Sequence, residues 1–433
     1  MKRRWLNCTM ILWLWAKPSR KRKSLSWNRR SRTMINKVIK EVKSFSIGYY
    51  ILAALAIFGL SVAAYRLYAG LGVTTNLSKA FPWGVWISFD LSTVAFSGGA
   101  FTLAALVYVF HLHELHSAVR PTVLAGLIGY TSVLVILFMD LGRWDRAYHF
   151  LIYPNINSAL FEVSWCIALY STILLYELSP TLLENTRWKG LIPIIKKWTI
   201  PLVIAGVTLS TLHQSSLGTL FVVMSPRVDP LWYSMLLPIF FLITSLAAGL
   251  AMVISGAIIS YWVFGRTLRE NVIAELAWFI PLVLGIYLVL KLGELLITDE
   301  LHLLFTSGIY SVLFLTELIV GVIIPIILLS FKRVRHSRIG ALTASLMVLA
   351  GVVLNRFNVS WFGIKPINGQ IYTPSWMEVA ILVGVLAASI LAYSLVAHYF
   401  PVFEETAEVI EEKKARKRRG MGRILHPKPV VGD

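Results

Sequence analysis

Asp90, Asp140, Arg143, Glu162 and His213, with Gln214 beside the histidine and Arg66 upstream, stand within or at the ends of long apolar runs. Ionisable groups in such surroundings are costly to keep, so each is a candidate for ligand binding or proton transfer. Carboxylates, a cation and an imidazole in one place can hold a polar ligand and exchange protons with it near neutral pH. A sparser set follows in the same order: Lys291 with Glu294, then Glu317, then Asn355 and Arg356. Lys291 and Glu294 are three residues apart on one helix face and can neutralise each other, so a packing pair and a proton path are both open readings there. Glu317 has no cation four residues to either side and reads as functional.

The elements that must position these residues are membrane helices. The chain has 433 residues, 57% hydrophobic and 15% charged, with a mean hydropathy of +0.70. Soluble domains carry about 25% charged residues, so a water-soluble globular enzyme is excluded. Ten apolar runs are long enough to cross a bilayer: 47–69, 88–110, 122–141, 159–177, 199–223, 232–264, 275–296, 305–330, 339–355 and 376–400. The expected fold is an all-α polytopic membrane protein. The +19 net charge is a topological label and does not signal a nucleic-acid partner. With the N-terminus inside, 33 of the 41 Lys and Arg fall on inner segments, six on outer loops and two, Arg66 and Lys291, within spans. The positive-inside rule then places both termini in the cytoplasm of a cell whose inner membrane the chain spans.

The segments 205–214 (AGVTLSTLHQ) and 350–359 (AGVVLNRFNV) match at an offset of 145 residues, SALF at Ser158 matches SVLF at Ser311 at 153, and the regions of Asp140 and Lys291 match at 151. Two related four-helix bundles with one flanking helix on each side are therefore expected, as a parallel repeat. The implied organisation is a basic N-terminal segment 1–46, a first span and outer loop 47–87, a first bundle 88–223, a second bundle 224–355, an outer loop and tenth span 356–400, and a basic tail 401–433. Ser97–Gly98–Gly99–Ala100 and Ala247–Ala248–Gly249 supply the small residues that close helix packing in lipid needs.

Topology gathers the first set of polar residues. Asp90 starts its span from outside, Asp140 and Arg143 end theirs outside, Glu162 enters from outside, and His213 lies about 21 Å into a core of roughly 30 Å. A quinone suits such a place: it needs an apolar cleft reached from lipid, hydrogen bonds to two oxygens, and groups that handle two protons. His213 would make the first proton transfer with Asp140 or Glu162 as proton partner, and Arg143 would hold the carboxylates charged or polarise a quinone oxygen. Haem ligation is not expected, because of nine histidines only His213 lies well inside a span, while His111, His113 and His116 scatter around an interfacial helix end. Two cysteines, Cys8 and Cys166, cannot hold an iron–sulfur cluster. A duplicated bundle with midplane charge also describes a secondary transporter, but Pro238 and Pro281 have no counterparts in the second and third spans.

The strings NLSKAFPWGVWISFD (76–90), MDLGRWDR (139–146) followed by YPNINSALFEVSW, LSTLHQSSLGTLF (209–221) and VLNRFNVS (353–360) resemble the NrfD/polysulfide-reductase family of membrane subunits. Ten spans resemble its longer branch, which includes the so-called cytochrome b subunit of hydrogenase-2-type nickel–iron hydrogenases. The resemblance covers about 36–400. It implies a subunit without a redox cofactor of its own, docked on a ferredoxin-like iron–sulfur protein and periplasmic catalytic subunits, hydrogenase large and small subunits foremost, that exchanges electrons with menaquinone or ubiquinone. Membrane subunits of polysulfide, tetrathionate or other molybdopterin reductases, working as quinol oxidases, resemble it too. On this resemblance Arg66, Trp83, Asp90, Arg143 and Gln214 would line the quinone site with His213, Asp140 and Glu162, Trp83 being otherwise part of an interfacial aromatic belt. Lys291, Glu294, Glu317 and Arg356, with His111 and Glu114 at the inner face, would carry protons across.

The basic run at 17–32 has no apolar periodicity, whereas Met34 begins a short basic lead into the first span. The natural chain is expected to start at Met34, and N-terminal sequencing that begins before Met34 would refute this.

Overall fold

In the computed structural model the described residues are 47–109, 111–112, 116–184, 186–224, 227–264, 270–365 and 370–402. The basic segments at the chain ends, Cys8, Met34, His113 and Glu114 lie outside them. The chain divides into two compact units, Met1–Ala54 and Leu55–Asp433; of the first, only residues 47–54, the opening turns of the first helix, are among the described residues.

Within a bilayer every backbone N–H and C=O must find its partner inside the segment, and among the described residues ten helices are long and apolar enough to cross one. They are α1 (Ile47–Ala69), α2 (Val85–Tyr108), α3 (His116–Asp140), α4 (Ala159–Leu183), α5 (Ile192–Val223), α6 (Leu237–Phe264), α7 (Glu270–Ile297), α8 (Ile309–Ser330), α9 (Arg338–Phe362) and α10 (Trp376–Tyr399). The protein is a multi-pass all-α membrane protein.

Some boundaries differ from the sequence expectation for identifiable reasons. α4 continues to Leu183 through Pro180, whose missing N–H leaves the Tyr176 carbonyl without its helical donor; the Ser179 hydroxyl donates to that carbonyl at 2.6 Å instead. α9 runs past Arg356 into a π-turn, Asn358–Phe362, and α8 contains another at Ile319–Ile323. At 32 residues α5 is about 48 Å long, well beyond a hydrocarbon core of about 30 Å.

Consecutive helices from α2 to α5 pack side by side, as do those from α6 to α9, with α6 closing on α9. The two groups meet where α5 lies against α6 and where α2 lies against α6 and α9, and α10 packs on α3. Glycines make these approaches possible. A Cβ on Gly99 would come within 2.7 Å of the Gly249 Cα, one on Gly321 within 2.5 Å of the Gly351 Cα, and one on Gly59 would collide with the Gly384 Cα. Paired hydroxyls tie the same helices laterally: Ser88 with Ser360 across α2 and α9, and Ser132 with Ser389 across α3 and α10, both at 2.6 Å.

The loops between α1 and α2, α5 and α6, and α9 and α10 meet at the end of the bundle here termed distal. An antiparallel bridge pairs Val228 with Ile364, flanked by Asp229 N–H to Gly363 O at 2.8 Å and Lys365 N–H to Arg227 O at 2.7 Å. Asn76 Nδ2 donates to Thr373 O at 2.9 Å and Ser375 Oγ to Thr74 O at 2.7 Å. These bonds fix the entrances of α2 and α10 relative to each other.

Gly99→Leu should destabilise the α2–α6 contact by about 1–3 kcal/mol or more, the usual cost of overpacking. Gly256→Ala, where an added Cβ meets nothing within 4 Å, should leave thermal unfolding in detergent unchanged. Equal midpoints for both variants would refute the contact.

Candidate functional site

Four helix ends converge at the distal side. Arg66 in α1 is 0% exposed, and its Nη2 donates to the Leu141 carbonyl just past α3 at 2.7 Å. Its Nε and Nη1 have no hydrogen-bond partner. Asp140, the last residue of α3, lies within electrostatic range of Arg66, of Asp90 in α2 and of Glu378 in α10. Both oxygens of Asp90 and one of Asp140 are enclosed and unpartnered.

Asp90, Val94 and Gly98 recur every four residues and share one face of α2. Gln214 of α5 crosses that face: its Nε2 donates to Val94 O at 3.1 Å, leaving Oε1 unpartnered. Gln214 is thus anchored one helical turn, about 6 Å, from Asp90. His213 beside it is 1% exposed, neither ring nitrogen has a partner, and its ring stands 5.9 Å from that of Tyr130 in α3. Tyr130 packs on Tyr170 of α4 at 4.3 Å, and Tyr170 on Phe101 at 4.0 Å, giving an aromatic wall beneath the polar groups. Trp83 meets Phe221 edge to face at 5.6 Å, while Trp86 is buried and donates from Nε1 to the Glu378 carbonyl at 3.0 Å.

Two residues expected in this cluster stand apart. Arg143 does not reach the carboxylates of the helix ends. It is 66% exposed and chelates Asp145 with bonds of 2.9 and 2.7 Å, because a two-residue spacing across a turn is far easier to close than a path back into the protein. That bond holds the Asp145 carboxyl down at about 2 and raises the Arg143 guanidinium further. The guanidinium among the buried carboxylates is Arg66. Glu162, in the first turn of α4, is exposed. A cleft of about 470 Å³ opens nearby, lined by His149, Tyr153, Asn155 and Phe161 among others, and none of the expected site residues lines it.

Sequence reading passed over two residues. Glu378 is 1% exposed; its Oε2 accepts from Asn76 N–H at 3.0 Å and Ser375 N–H at 2.8 Å, and its Oε1 from the Tyr372 hydroxyl. Burial, and then the bond to Glu378, push the Tyr372 phenol up from its ordinary value. The signal was present as the Ser375–x–x–Glu378 capping box, a pattern that reads as a helix start. Glu177, near the other end of α4, has both oxygens enclosed and unpartnered.

The second polar set is satisfied from within except for Arg356 Nε and Asn358 Oδ1, which have no partner. Glu317 in α8 is 2% exposed and accepts from Trp232 Nε1 at 2.9 Å, Asn355 Nδ2 at 2.7 Å and Asn358 Nδ2 at 2.8 Å. Lys291 bonds Glu294 at 2.8 Å. Arg356 donates to Asn355 Oδ1, to Phe241 O at 3.1 Å and to Thr244 Oγ1 at 2.8 Å, with its guanidinium 3.7 Å over the Phe241 ring. One thread links this set to the first: Ser360 Oγ bonds Arg356 O at 2.6 Å and also meets Ser88, two residues before Asp90.

Residues 73–368 match the family described as polysulphide reductase, NrfD. The chain belongs to this family. It is 34% identical, over 78% of this chain and 87% of the relative, to a probable Ni/Fe-hydrogenase 2 b-type cytochrome subunit of Escherichia coli. It is 29% identical, over 80% of this chain and 89% of the relative, to the integral membrane subunit of a menaquinone reductase of Nitratidesulfovibrio vulgaris. A selenate reductase subunit of Mesobacillus selenatarsenatis is 24% identical over 83% of this NrfD-family chain and 95% of its own length.

Replacing Glu317 by Ala strands three buried donors, and loss of one partner in such a network costs about 3–5 kcal/mol. Glu317→Gln, which keeps an acceptor, should cost less. Thermal unfolding in detergent orders the two variants, and equal losses would contradict the network.

Proposed function

We propose that this NrfD-family chain is the quinone-reactive membrane subunit of a multisubunit respiratory oxidoreductase, and is not an enzyme by itself. One observation carries the reading: unpartnered polar atoms of Arg66, Asp90 and Asp140 at the distal end, followed deeper in the bundle by those of Gln214, anchored on α2 below Asp90, and of His213 beside it against the Tyr130 ring. Buried polar groups are nearly always paired within a protein, so a set left unpaired in one neighbourhood suits a ligand with complementary atoms. A quinone offers two acceptor oxygens and, as quinol, two hydroxyls. Arg66 can donate to one oxygen, Gln214 Oε1 can accept from a hydroxyl, and His213 can pass a proton in either direction.

The distribution of Lys and Arg supports placing the distal end on the outer side of the cytoplasmic membrane, with both termini inside. Electrons would reach the quinone from a ferredoxin-like iron–sulfur subunit there. The hydrogenase relative's name supports a nickel–iron hydrogenase, with its large and small subunits, as the source; the menaquinone reductase relative's name supports menaquinone over ubiquinone. The selenate reductase relative favours a second reading, the same site oxidising quinol for a reductase. All three names belong to redox complexes, which favours this class over a transporter. We assign Lys291, Glu294, Glu317 and Arg356 to holding α6–α9 together, since Lys291 bonds Glu294, Glu317 accepts from Trp232, Asn355 and Asn358, and Arg356 donates to Asn355, Phe241 and Thr244, and leave proton passage through them aside.

The whole complex should reduce a quinone analogue, and His213→Ala or Asp140→Asn should abolish this while dye-linked activity of the catalytic subunits persists. Retained quinone reduction in both variants would overturn the proposal. Turnover only from quinol to an oxyanion acceptor would establish the reverse direction.

A further inference from the structure

The cleft of about 470 Å³ beside α4 is walled by Phe150, Tyr153, Leu160 and Phe161, with His149, Asn155 and Ser164 as its polar members. Mostly apolar walls with a few polar groups, at this volume, are the usual make-up of a small-molecule pocket. No Lys, Arg, Asp or Glu lines it, so it suits a neutral occupant. Its flank belongs to the lipid-facing side of the span. Leu160, Ser164, Ala168 and Thr172 recur every four residues and share one face of α4, with Leu175 three further on. Leu160 is 56% and Leu175 52% exposed. The Ser164 and Thr172 hydroxyls donate to Leu160 O at 2.9 Å and Ala168 O at 2.8 Å, the back-bonding by which a helix accommodates a hydroxyl. Leu160 and Ser164 head this stripe and also line the cleft, which is therefore continuous with the surface the membrane covers. On the α3–α4 connection Leu151, Ile152 and Ile156 are exposed as well, an apolar surface that suits contact with lipid.

The polar members of the cleft can donate. His149 is held edge to face between Tyr148 at 4.8 Å and Tyr153 at 5.2 Å, and among the described residues nothing bonds its ring nitrogens. Asn155 Oδ1 accepts from Asn157 N–H at 3.2 Å, which leaves Nδ2 to donate. Phe150 and Phe161 stand 6.5 and 6.0 Å from the Trp165 ring, whose enclosed Nε1 has no partner. A phospholipid headgroup would ask for cations, and none line the cleft. A flat, neutral, membrane-dissolved molecule with acceptor oxygens meets every condition. We propose that the cleft is a second quinone site, where the ring is taken from the lipid against His149 and Phe161, with its tail along the α4 stripe, before it reaches the distal cluster. This rests on the quinone reading above.

Photolabelling of the whole complex in lipid nanodiscs, with an azidoquinone bearing a decyl tail, tests this. Label should appear on residues 149–164 as well as at the distal cluster, and excess unlabelled decylquinone should displace both. Ser164→Leu, which fills the cleft, should remove the first label and keep the second. It should also raise KM for the decyl-tailed quinone about tenfold with kcat little changed, the mark of binding lost ahead of the chemical step. His213→Ala should keep the label on 149–164. Label confined to the distal cluster, or label on 149–164 that survives Ser164→Leu, would overturn the inference and leave the distal site standing. Equally strong labelling of 149–164 by a ringless decyl azide would overturn it too, in favour of a lipid chain. Should Ser164→Leu not assemble, labelling and displacement in the unmodified complex decide alone. The quinone reading fails separately, if the unmodified complex is labelled at neither place and reduces no quinone.

Discussion

A guanidinium enclosed among membrane helices cannot be left unbalanced, and Arg66 is such a group. Water is absent from the hydrocarbon, so the compensation must come from other helices, and a single charge recruits several. It meets the Leu141 carbonyl and Asp140 at the end of α3, and Asp140 in turn lies within range of Asp90 at the start of α2 and Glu378 at the start of α10. The distal loops hold those ends in register: Asn76, Ser375 and Tyr372 all meet on Glu378, whose own backbone anchors Trp86. Cap, loop and charge are one assembly.

Below that assembly the packing is of another kind. Lipid gives apolar helices no hydrophobic reason to associate, so close backbone approach at Gly99–Gly249, Gly321–Gly351 and Gly59–Gly384 does the work, with serine pairs adding direction. The two polar sets sit on this frame and differ in completeness. Around Glu317 nearly every strong donor and acceptor finds a protein partner. Around Asp90 and His213 several do not, and that contrast is what supports proposing a ligand site there and a helix clamp around Glu317.

Much of the architecture was legible in the chain because hydrocarbon imposes a simple rule on length and polarity. Ten spans were readable, although the ends of α4 and α9 were not, since a serine hydroxyl standing in for a proline N–H and a π-turn leave little trace in hydropathy. Of the site, His213, Gln214, Asp90, Asp140 and Arg66 were readable as polar residues at similar depth. Depth does not say which way a residue faces. Glu162 shares their level and is exposed, and Arg143, next to the same helix end as Asp140, turns outward to Asp145. Glu378 was legible as a cap and hidden as a charge, because the partners that give it a second role lie some 300 residues away in sequence.

Sequence by itself determined the membrane, the number of crossings and the level at which polar groups collect, for these follow from the local cost of placing each residue in hydrocarbon. Only the tertiary structure decided which arginine lies beside Asp140, which carboxylate is held by three donors, and which polar atoms are buried without a partner. Those depend on helix rotation and on contacts between segments remote in the chain, which no local pattern encodes.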